Sequence, residues 1–551
     1  MKPQKLFYIL LAIWVLADLL QAFFTPVHAD EAYYALYGRF LDWGYYDHPP
    51  MVALLTAFSS LFFKGTLSIR FMTVLLHGVT VWLVWKSLCD KMLTARDVWV
   101  FFAVAVSLVM FSIYGFITTP DVPLLFFTAL FFYLYKQYLS RPTWPLALAL
   151  GVTFAAMLYS KYMAVLVIGF LAISNIKLLK DIRLWVAVLL AALLFVPHII
   201  WQMHNEFPSF QYHLLDRSTG FRMQYPLEFI PNQLLVFNPV CFCLAVYFCW
   251  KKRKTEDLFE RACVITILGF ILFFWVMTVK GHAEPHWTVA ASVPMIILLW
   301  KELRNEQWHK WLMRGVLPIV GLLMILRIAA PLLLNNNFVV AFGNRAKYDS
   351  IYEYCGNTPA VFVGSFQDPS LYRYYINENS MSISSLYGRR TQFDLWQFDK
   401  NIQGKPANII NTNVYQRGVP EGYDLIEKNG VSFYLHKTKG FQGTNRIQVN
   451  VDNYRIANDS LYLNLTLFNP YETAFVFDNP EFPITLHVVY LQKHGSTFPI
   501  TCPIPSGIII PAGGYLTLST VVKYIPDVPV VICLDNVVNR SVNSKPIKLK
   551  P

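Results

Sequence analysis

Charged residues are scarce in this chain: Asp, Glu, Lys and Arg make up 15% of its 551 residues, whereas hydrophobic residues make up 55%. Soluble domains carry about 25% charged residues. Residues 1–335 instead contain a series of apolar runs about twenty residues long, the length that a helix needs to cross the hydrocarbon core of a bilayer. The composition excludes an ordinary soluble protein and predicts one that crosses a membrane several times.

Several well-known motifs are missing from the sequence. It has no Gly-rich phosphate loop, no C-x-x-C pair and no internal repeat in its apolar part. Their absence argues against a nucleotide-sugar donor, a cysteine-based metal site and a transporter built from repeated halves. No A-x-A cleavage site follows the first apolar run, so this run is predicted to remain as a membrane span.

The net charge of +12 is explained by membrane topology rather than by nucleic-acid binding. With the N-terminus in the cytoplasm, most basic residues of the apolar part fall on the cytoplasmic side, as the positive-inside rule requires. Eleven predicted spans then place the C-terminal region outside. The spans are predicted at about residues 6–24, 68–86, 97–117, 121–139, 143–159, 161–176, 182–200, 229–250, 262–279, 287–300 and 315–335.

Beyond residue 340 the composition becomes that of a soluble protein. Residues 341–440 mix short β-like runs with helix-compatible stretches, which predicts a small α/β domain after the membrane domain of residues 1–340. Residues 441–551 alternate short strand patterns with turn signals, which predicts a β-sandwich. Cys502 and Cys533 lie in this last domain and are able to pair if the compartment is oxidising.

Ionisable residues gather in the loops at the predicted outer face. A charge at membrane depth costs a few kcal/mol, so each of these residues is a candidate for function. Their positions, in separate connections of the chain, suggest a shared site. The candidates are Asp30, Glu31, His48, Arg70, Asp121, Lys161, Arg217, Arg222, Lys280, His282, Glu284, His286 and Arg327.

Each candidate also has a plainer structural interpretation. The stretch "HADEAYYALYGRFLDWGYYDHPP" at 28–50 can be a solvated loop seated at the interface by its aromatic residues. Asp121 suits the first turn of a helix, where a negative charge is favourable. Lys161 can extend its ammonium to the interface. The four ionisable residues of "KGHAEPH" at 280–286 can form a hydrophilic turn, and their spacing matches no known zinc motif.

Together the candidates predict group transfer from a lipid-phosphate carrier. A carboxylate such as Asp30 would take a proton from an attacking hydroxyl, and the cations would stabilise the phosphate leaving group. The run "MVALLTAFSSLFF" after "DHPP" is too short for a span and is predicted to form an interfacial or re-entrant helix. No cofactor is certain, although a divalent cation on Asp30, Glu31, His282 and His286 is left open.

Two other classes of function are compatible with the sequence. A transporter or flippase of lipid-linked glycans would place polar groups near the middle of the membrane on broken helices, often in repeated halves. The polar groups here instead lie at one predicted face, which favours an enzyme. A membrane-anchored binding protein would act through its C-terminal domains.

The order of the loop motifs resembles one known family. The segments "ADEAYYALYGRFL", "YYDHPPMVALL", "SIRFMTVLL", "TTPDVPLLFF", "SKYMAVLV" and "GHAEPHWTVAA" resemble those of bacterial family 39 glycosyltransferases. These are relatives of the dolichyl-phosphate-mannose–protein mannosyltransferases and, more distantly, of the lipid A aminoarabinose transferases. The resemblance covers roughly residues 1–335. It implies a GT-C fold in the bacterial inner membrane, with the active site and the C-terminal domains on the periplasmic side.

The resemblance also implies a chemistry. The donor would be a sugar on an undecaprenyl-phosphate-type lipid, and the acceptor would be lipid A, another glycan or a protein hydroxyl. Asp30 matches the essential acid of the first loop and Glu31 is its neighbour, while His48 stands where the aminoarabinose transferases have a lysine. The remaining outer-loop positions of the family are matched by Asp121, Lys161, Lys280 and Glu284. Transfer with inversion at the sugar carbon is what the resemblance implies.

Overall fold

The computed structural model describes residues 2–88, 93–213, 220–335, 342–343, 345–386, 388–414, 419, 422–491, 497–536 and 539–549. The chain forms two compact units, Met1–Gly343 and Asn344–Pro551. The first unit is helical and the second contains all of the β-sheets. The division of the chain near residue 340 therefore follows the change in composition.

The first unit is built from apolar helices. Those of its first half are α1 (Pro3–Phe24), α2 (Ala29–Arg39), α3 (Met51–Phe62), α4 (Leu67–Leu88), α5 (Ala95–Ser107), α6 (Val109–Ile113), α7 (Asp121–Ser140) and α8 (Trp144–Ser160). Those of its second half are α9 (Ala164–Ser174), α10 (Ile182–His204), α11 (Pro208–Gln211), α12 (Gln224–Phe237), α13 (Pro239–Lys251), α14 (Leu258–Met277), α15 (Ser292–Leu303), α16 (His309–Trp311) and α17 (Leu317–Asn335). Short 3₁₀ helices at Ile176–Lys180, Pro285–Ala291 and Glu306–Trp308 connect some of them.

Six helices within the described residues are long and apolar enough to cross a membrane, and the bent pair α12 and α13 makes seven if counted as one span. A polytopic helical membrane protein is thus confirmed, whereas the count of eleven spans stays a prediction. Helix α4 packs against α1, α3 and α7, and α8 packs against α7 and α10. The run at 51–62 forms the twelve-residue helix α3, which matches the predicted short helix after "DHPP".

Two predicted spans are broken rather than straight. The run 97–117 is interrupted at Leu108, between α5 and α6. The run 229–250 is interrupted at Asn238, where α12 and α13 meet at 105°. Asn238 has a φ of 63° and a ψ of 150°, and a positive φ is more frequent for asparagine than for most other residues. Pro239 follows at the first position of α13, where its missing N–H costs no hydrogen bond.

The side-chain amide of Asn238 forms hydrogen bonds with backbone groups at both breaks. Its Nδ2 donates to the Ser107 carbonyl at 2.8 Å, which the interruption of α5 leaves without a helical donor, and its Oδ1 accepts from the Cys241 amide at 2.8 Å. Irregular backbone at membrane depth is tolerated only where such groups are paired. One buried asparagine therefore allows two neighbouring helices to break at the same place.

The second unit begins with a mixed α/β layer. Its strands are β1 (Ala360–Val363), β2 (Ser380–Ile383), β3 (Ala407–Asn411), β4 (Asp424–Lys428) and β5 (Val431–Thr438), in the sheet order β2-β1-β3-β5-β4. β1 is parallel to β2 and β3, whereas the β3–β5 and β4–β5 pairs are antiparallel. The helices of this layer are α18 (Arg345–Cys355), α19 (Gln367–Tyr375) and α20 (Gln392–Trp396).

The rest of the unit is all-β, as the alternating pattern predicts. Its strands are β6 (Gln448–Ala457), β7 (Ser460–Phe468), β8 (Phe475–Val476), β9 (Thr485–Leu491), β10 (Thr497–Thr501), β11 (Ile509–Ile510), β12 (Tyr515–Lys523), β13 (Val530–Asp535) and β14 (Arg540–Val542). They form the sheets β12-β7-β6, β10-β9-β13-β14 and β11-β8. Leu463 of β7 and Ile532 of β13 belong to one buried core between the two larger sheets, which makes this part a sandwich.

The proposed pairing of Cys502 with Cys533 is not formed, and both thiols are free. Cys502 packs in the core between the sheets. Cys533 packs with Val489 and Val531 in a separate cluster. Side chains alternate between the two faces of a strand, so Cys533 and its neighbour Ile532 point to opposite faces. A disulfide across the sheet would require the backbone to move.

We expect both thiols to resist alkylation in the folded protein. Burial raises the pKa of Cys502 to about 11 and that of Cys533 to about 12, so little thiolate exists at pH 8. Maleimide labelling followed by peptide mass spectrometry should modify neither cysteine before denaturation and both cysteines afterwards, without added reductant. A peptide with a free thiol, added to each reaction, is the control for reagent activity. Failure to label Cys502 and Cys533 after denaturation would indicate a disulfide instead.

Candidate functional site

The first outer loop contains helix α2, in which Asp30 and Glu31 have different surroundings. His28 caps α2: its Nδ1 accepts from the Asp30 amide at 3.2 Å, and Glu31 accepts from the His28 amide at 3.0 Å. This reciprocal pattern is a capping box, with histidine in the usual place of serine or threonine. Glu31 is fully buried, whereas the Asp30 side chain keeps 37% of its surface exposed. Only Asp30 of this acidic pair is accessible to a substrate.

Glu31 forms a buried ion pair with Arg70 at the start of α4. The Arg70 Nε donates to Glu31 Oε1 at 2.7 Å and one terminal nitrogen donates to Oε2 at 2.5 Å. The remaining Arg70 donors go to the carbonyls of Ala22, Thr25 and Pro26. A guanidinium has five N–H groups, and all five are used. Arg70 therefore holds the end of α1, α2 and α4 together rather than facing a ligand.

The loop before α7 joins this cluster. The Thr118 amide donates to Glu31 Oε1 at 2.8 Å, and the Thr118 hydroxyl donates to the Ile69 carbonyl at 3.1 Å. The Glu31–Arg70 pair thus positions Asp30 beside the start of α7.

Asp121 and Lys161 form a second buried pair, between the start of α7 and the end of α8. The Lys161 Nζ donates to both carboxylate oxygens of Asp121, at 2.8 and 2.9 Å. Both side chains are almost completely buried, and the His286 Nε2 lies 4.0 Å from Asp121 Oδ2. Taken separately, Asp121 suited the first turn of a helix and Lys161 suited extension to the interface. The structure instead pairs the two side chains with each other. An ammonium has three N–H donors, so Lys161 retains one for a further acceptor.

The connection between α14 and α15 reaches this pair through His286. His282 Nδ1 lies 3.8 Å from Glu284 Oε1, and the His282 ring packs edge-on against Tyr225. These side chains are more than one third exposed, and Lys280 is exposed as well. The predicted site residue Arg222 is also exposed, and Arg217 lies outside the described residues.

His48 sits in a neighbouring group of rings. Its ring lies 5.7 Å from Tyr34 and 6.4 Å from His213, centroid to centroid. The adjacent Asp47 carboxylate accepts from the Tyr37 hydroxyl at 2.5 Å, and its carbonyl is 3.0 Å from the His213 ring nitrogen. The aromatic residues of the first loop thus pack against one another around the "DHPP" turn.

Arg327 belongs to a different cluster, deeper in the helices. It donates to Asp18 of α1, and its other terminal nitrogen lies 3.3 Å from the Ser112 hydroxyl. The other oxygen of Asp18 is 2.7 Å from His77 of α4. A charged arginine within a membrane span needs a partner. The partner of Arg327 is Asp18, not a ligand bound at the outer loops.

The sequence analysis missed three ionisable residues that lie within apolar helices. Asp18, His77 and His198 each interrupt an apolar helix, and an ionisable residue in such a helix is a functional or structural candidate by default. His198 bonds the Tyr162 hydroxyl at 2.9 Å and the Trp43 carbonyl at 2.7 Å. It thereby fixes the end of α10 beside the first loop.

A metal site was left open, and its expected ligands do not converge. Within the described parts of the chain, no three side chains of His, Cys, Asp and Glu gather into a group able to hold a metal ion.

The fold and these contacts define a class of protein. It is a multi-pass helical membrane protein with an accessible carboxylate, Asp30, and its neighbour Glu31 accepts from Thr118, three residues before Asp121 of the buried Asp121–Lys161 ion pair. The loops at residues 25–66, 114–120, 161–163 and 278–291 are called the loop face below.

Comparisons with known proteins agree with the resemblance of the loop motifs. Residues 47–201 match the family model described as dolichyl-phosphate-mannose-protein mannosyltransferase, a range that includes His48, Asp121 and Lys161. The lipid A galacturonosyltransferase RgtD of Rhizobium johnstonii is 27% identical over 322 residues, which are 55% of this chain and 65% of the relative. The alignment thus spans slightly less than two thirds of that relative's length.

Solved structures share the fold. ArnT from Cupriavidus metallidurans in the apo state aligns with a TM-score of 0.60 at 14% identity, over 78% of this chain and 97% of that chain. The same protein bound to undecaprenyl phosphate aligns with a TM-score of 0.57 at 15% identity, over the same shares. The predicted resemblance to the GT-C glycosyltransferases of family 39 is confirmed by these comparisons.

Proposed function

We propose that the protein is a membrane glycosyltransferase that moves a sugar from a polyprenyl-phosphate donor to an acceptor hydroxyl at the loop face. The observation that carries the proposal is the position of Asp30, an exposed carboxylate held on α2 by the buried Glu31–Arg70 pair. The similarity to the lipid A galacturonosyltransferase makes lipid A the first acceptor to test. Other glycans and protein hydroxyls are the further acceptor classes.

The chemistry assigns one role to each residue. The Asp30 carboxylate takes the proton of the acceptor hydroxyl as its oxygen attacks the sugar C1. The bond between C1 and the phosphate oxygen breaks, its electron pair stays on the polyprenyl phosphate, and the configuration at C1 inverts. Lys161 donates its third N–H to the phosphate as negative charge develops there. Asp121 holds the ammonium in place through the two hydrogen bonds at 2.8 and 2.9 Å.

The side of the membrane follows from charge. The basic residues concentrate in connections opposite the loop face, so the positive-inside rule supports a periplasmic loop face in a bacterial inner membrane. The α/β layer and the sandwich would then lie in the periplasm as well. His48, Lys280, His282, Glu284 and His286 are proposed to contact donor or acceptor, since they surround or adjoin the two clusters.

The direct test is transfer by the purified protein in detergent. Undecaprenyl-phosphate-linked galacturonate and mannose are supplied as donors with lipid A as acceptor, and mass spectrometry follows the mass of lipid A and the release of undecaprenyl phosphate. Transfer in detergent supports the enzyme. Donor translocation in sealed liposomes, without transfer in detergent, would instead identify a flippase.

Lys161 offers a separate prediction. We expect Lys161→Gln to lower kcat/KM for the lipid-linked donor by roughly 10- to 100-fold, because a hydrogen bond to a charged group contributes about 1.5–3 kcal/mol. The steady-state rate of undecaprenyl phosphate release measures this. The exposed Lys64, also within the loop face, provides the control variant Lys64→Gln, which should behave as wild type. Equal rates for all three proteins would remove Lys161 from the proposed site.

A further inference from the structure

An apolar cavity lies at the end of the helical unit that is opposite the loop face. It lies between α7, α8, α9, α10 and the 3₁₀ helix Ile176–Lys180, it opens to the surface, and its volume is about 120 Å³. Phe131, Tyr135, Phe154, Ala172, Leu184 and Val188 are among its lining residues, and no charged side chain lines it. The candidate site at Asp30 and Lys161 does not use this cavity.

The depth of the cavity corresponds to one leaflet. Its lining extends along α8 to Phe154, ten residues after the helix begins at Trp144, and α8 rises about 1.5 Å per residue. The cavity therefore reaches about 15 Å from this end of the helices, half of a hydrocarbon core of about 30 Å. An acyl chain of the adjoining leaflet has this extent, whereas a small polar metabolite finds few partners among these side chains.

A basic surface depression adjoins the cavity and is called its mouth below, because Leu178 and Leu179 of the 3₁₀ helix line the cavity while Lys177 and Lys180 of the same helix line the depression. Lys177 and Lys180 are exposed and line this depression together with Trp144 and Arg183. They are three positions apart in a 3₁₀ helix, whose three-residue turn places such side chains on the same side. Two ammonium groups held on one side repel each other, and an anion between them relieves that repulsion.

The other charges at the mouth compensate each other. Arg183 donates to both oxygens of Asp181, at 2.8 and 2.9 Å, and this guanidinium holds the pKa of the Asp181 carboxyl down to about 2. The Tyr138 hydroxyl donates to the same carboxylate at 2.5 Å. Neither Lys177 nor Lys180 forms an ion pair with any residue that the structure describes. The net positive charge at the mouth therefore comes from these two lysines.

We propose that this site binds one anionic phospholipid of the leaflet opposite the loop face, with an acyl chain in the cavity and its phosphate between Lys177 and Lys180. Basic pockets between transmembrane helices on the cytoplasmic side are a known form of lipid headgroup site. Trp144 lines the basic depression and Trp185 lines the cavity, and tryptophan is enriched at membrane interfaces. The lipid would fill the space beside the short helix α9, which has only eleven residues. The site is independent of the proposed sugar transfer.

Native mass spectrometry of the full-length protein tests the proposal, with phosphatidylglycerol and phosphatidylcholine supplied in equal amounts. Wild type should retain one phosphatidylglycerol in preference to phosphatidylcholine. Lys177→Gln together with Lys180→Gln should reduce that preference about 25-fold, about fivefold for each lysine. Both substitutions are at the surface, so folding should be unaffected. Ala172→Phe, which fills the cavity, should reduce retention of both lipids.

A matched control removes the same charge elsewhere on that face. Arg253 and Lys254 are exposed in the connection between α13 and α14, and Arg253→Gln with Lys254→Gln should leave the preference as in wild type. Equal preference in the lysine variant and wild type would overturn the headgroup site. Displacement of the bound phospholipid by undecaprenyl phosphate, one for one and blocked by Ala172→Phe, would overturn the assigned occupant. Either result is distinguishable from a loss of sugar transfer, which this experiment does not measure.

Discussion

Replacing Asp30 with asparagine is expected to slow sugar transfer by about 10²–10⁴-fold, the range that a general base contributes. Asparagine has the same shape but cannot take the proton of the acceptor hydroxyl. The fold should survive, because the backbone amide of residue 30, rather than its carboxylate, donates to His28. The measurement is the single-turnover rate with a lipid-linked donor already bound, which separates the chemical step from donor binding.

The control for this experiment is a second acid at the same end of the helical unit. Glu206 is exposed in the connection after α10, so Glu206→Gln removes one carboxylate without touching α2. Its rate should equal that of wild type. An Asp30→Asn protein that transfers sugar at the wild-type rate would show that another group accepts the proton.

The second large effect concerns stability. Glu31→Ala is expected to destabilise the helical unit by about 3–5 kcal/mol, the usual result of removing one partner of a buried ion pair. The Arg70 guanidinium would remain buried with its two strongest acceptors gone, and the Thr118 amide would lose its acceptor as well. Activity should fall too, because Asp30 is positioned by the helix that this pair anchors.

Thermal unfolding followed by tryptophan fluorescence measures this loss. The exposed pair Arg345–Asp349 in α18 serves as the comparison, and Arg345→Met should change the melting temperature little. A double variant, Glu31→Gln with Arg70→Met, removes both charges and should be more stable than Glu31→Ala. Equal melting temperatures for Glu31→Ala and wild type would contradict the anchoring role.

The sequence predicted the kinds of element better than the contacts between them. The strands of the sandwich follow from side-chain alternation, as in "SLYLNLTLF" of β7, because period-two burial is a local property. The breaks in these two spans were not predicted, because the mean hydropathy of a run does not show where the helix changes direction. In the sequence, only Asn238 and Pro239 mark the bend between α12 and α13. Two residues change the mean hydropathy of a long apolar run very little.

The candidate site shows a similar division. Arg70, Asp121, Lys161 and Arg327 stood out in the sequence, because a lone ionisable residue in an apolar run is costly, whereas Asp18 and His77 were missed. Their pairing could not be predicted: Lys161 and Asp121 are 40 positions apart, and Arg70 and Glu31 are 39 apart. The cations were predicted to stabilise the phosphate leaving group. The structure instead joins three of these cations to carboxylates, since a buried cation without a partner would be far less stable.

The contact between Asp18 and Arg327 has a consequence for biosynthesis. The two residues are 309 positions apart, so at about 5–20 residues per second the ribosome needs roughly 15–60 s to make the second after the first. During that interval α1 is already inserted, and its carboxylate has His77, 59 positions downstream, as a partner but lacks Arg327. The last helix completes the charge pairing of the first. A nascent chain stopped before α17 should therefore be recognised by membrane quality control as an incomplete protein.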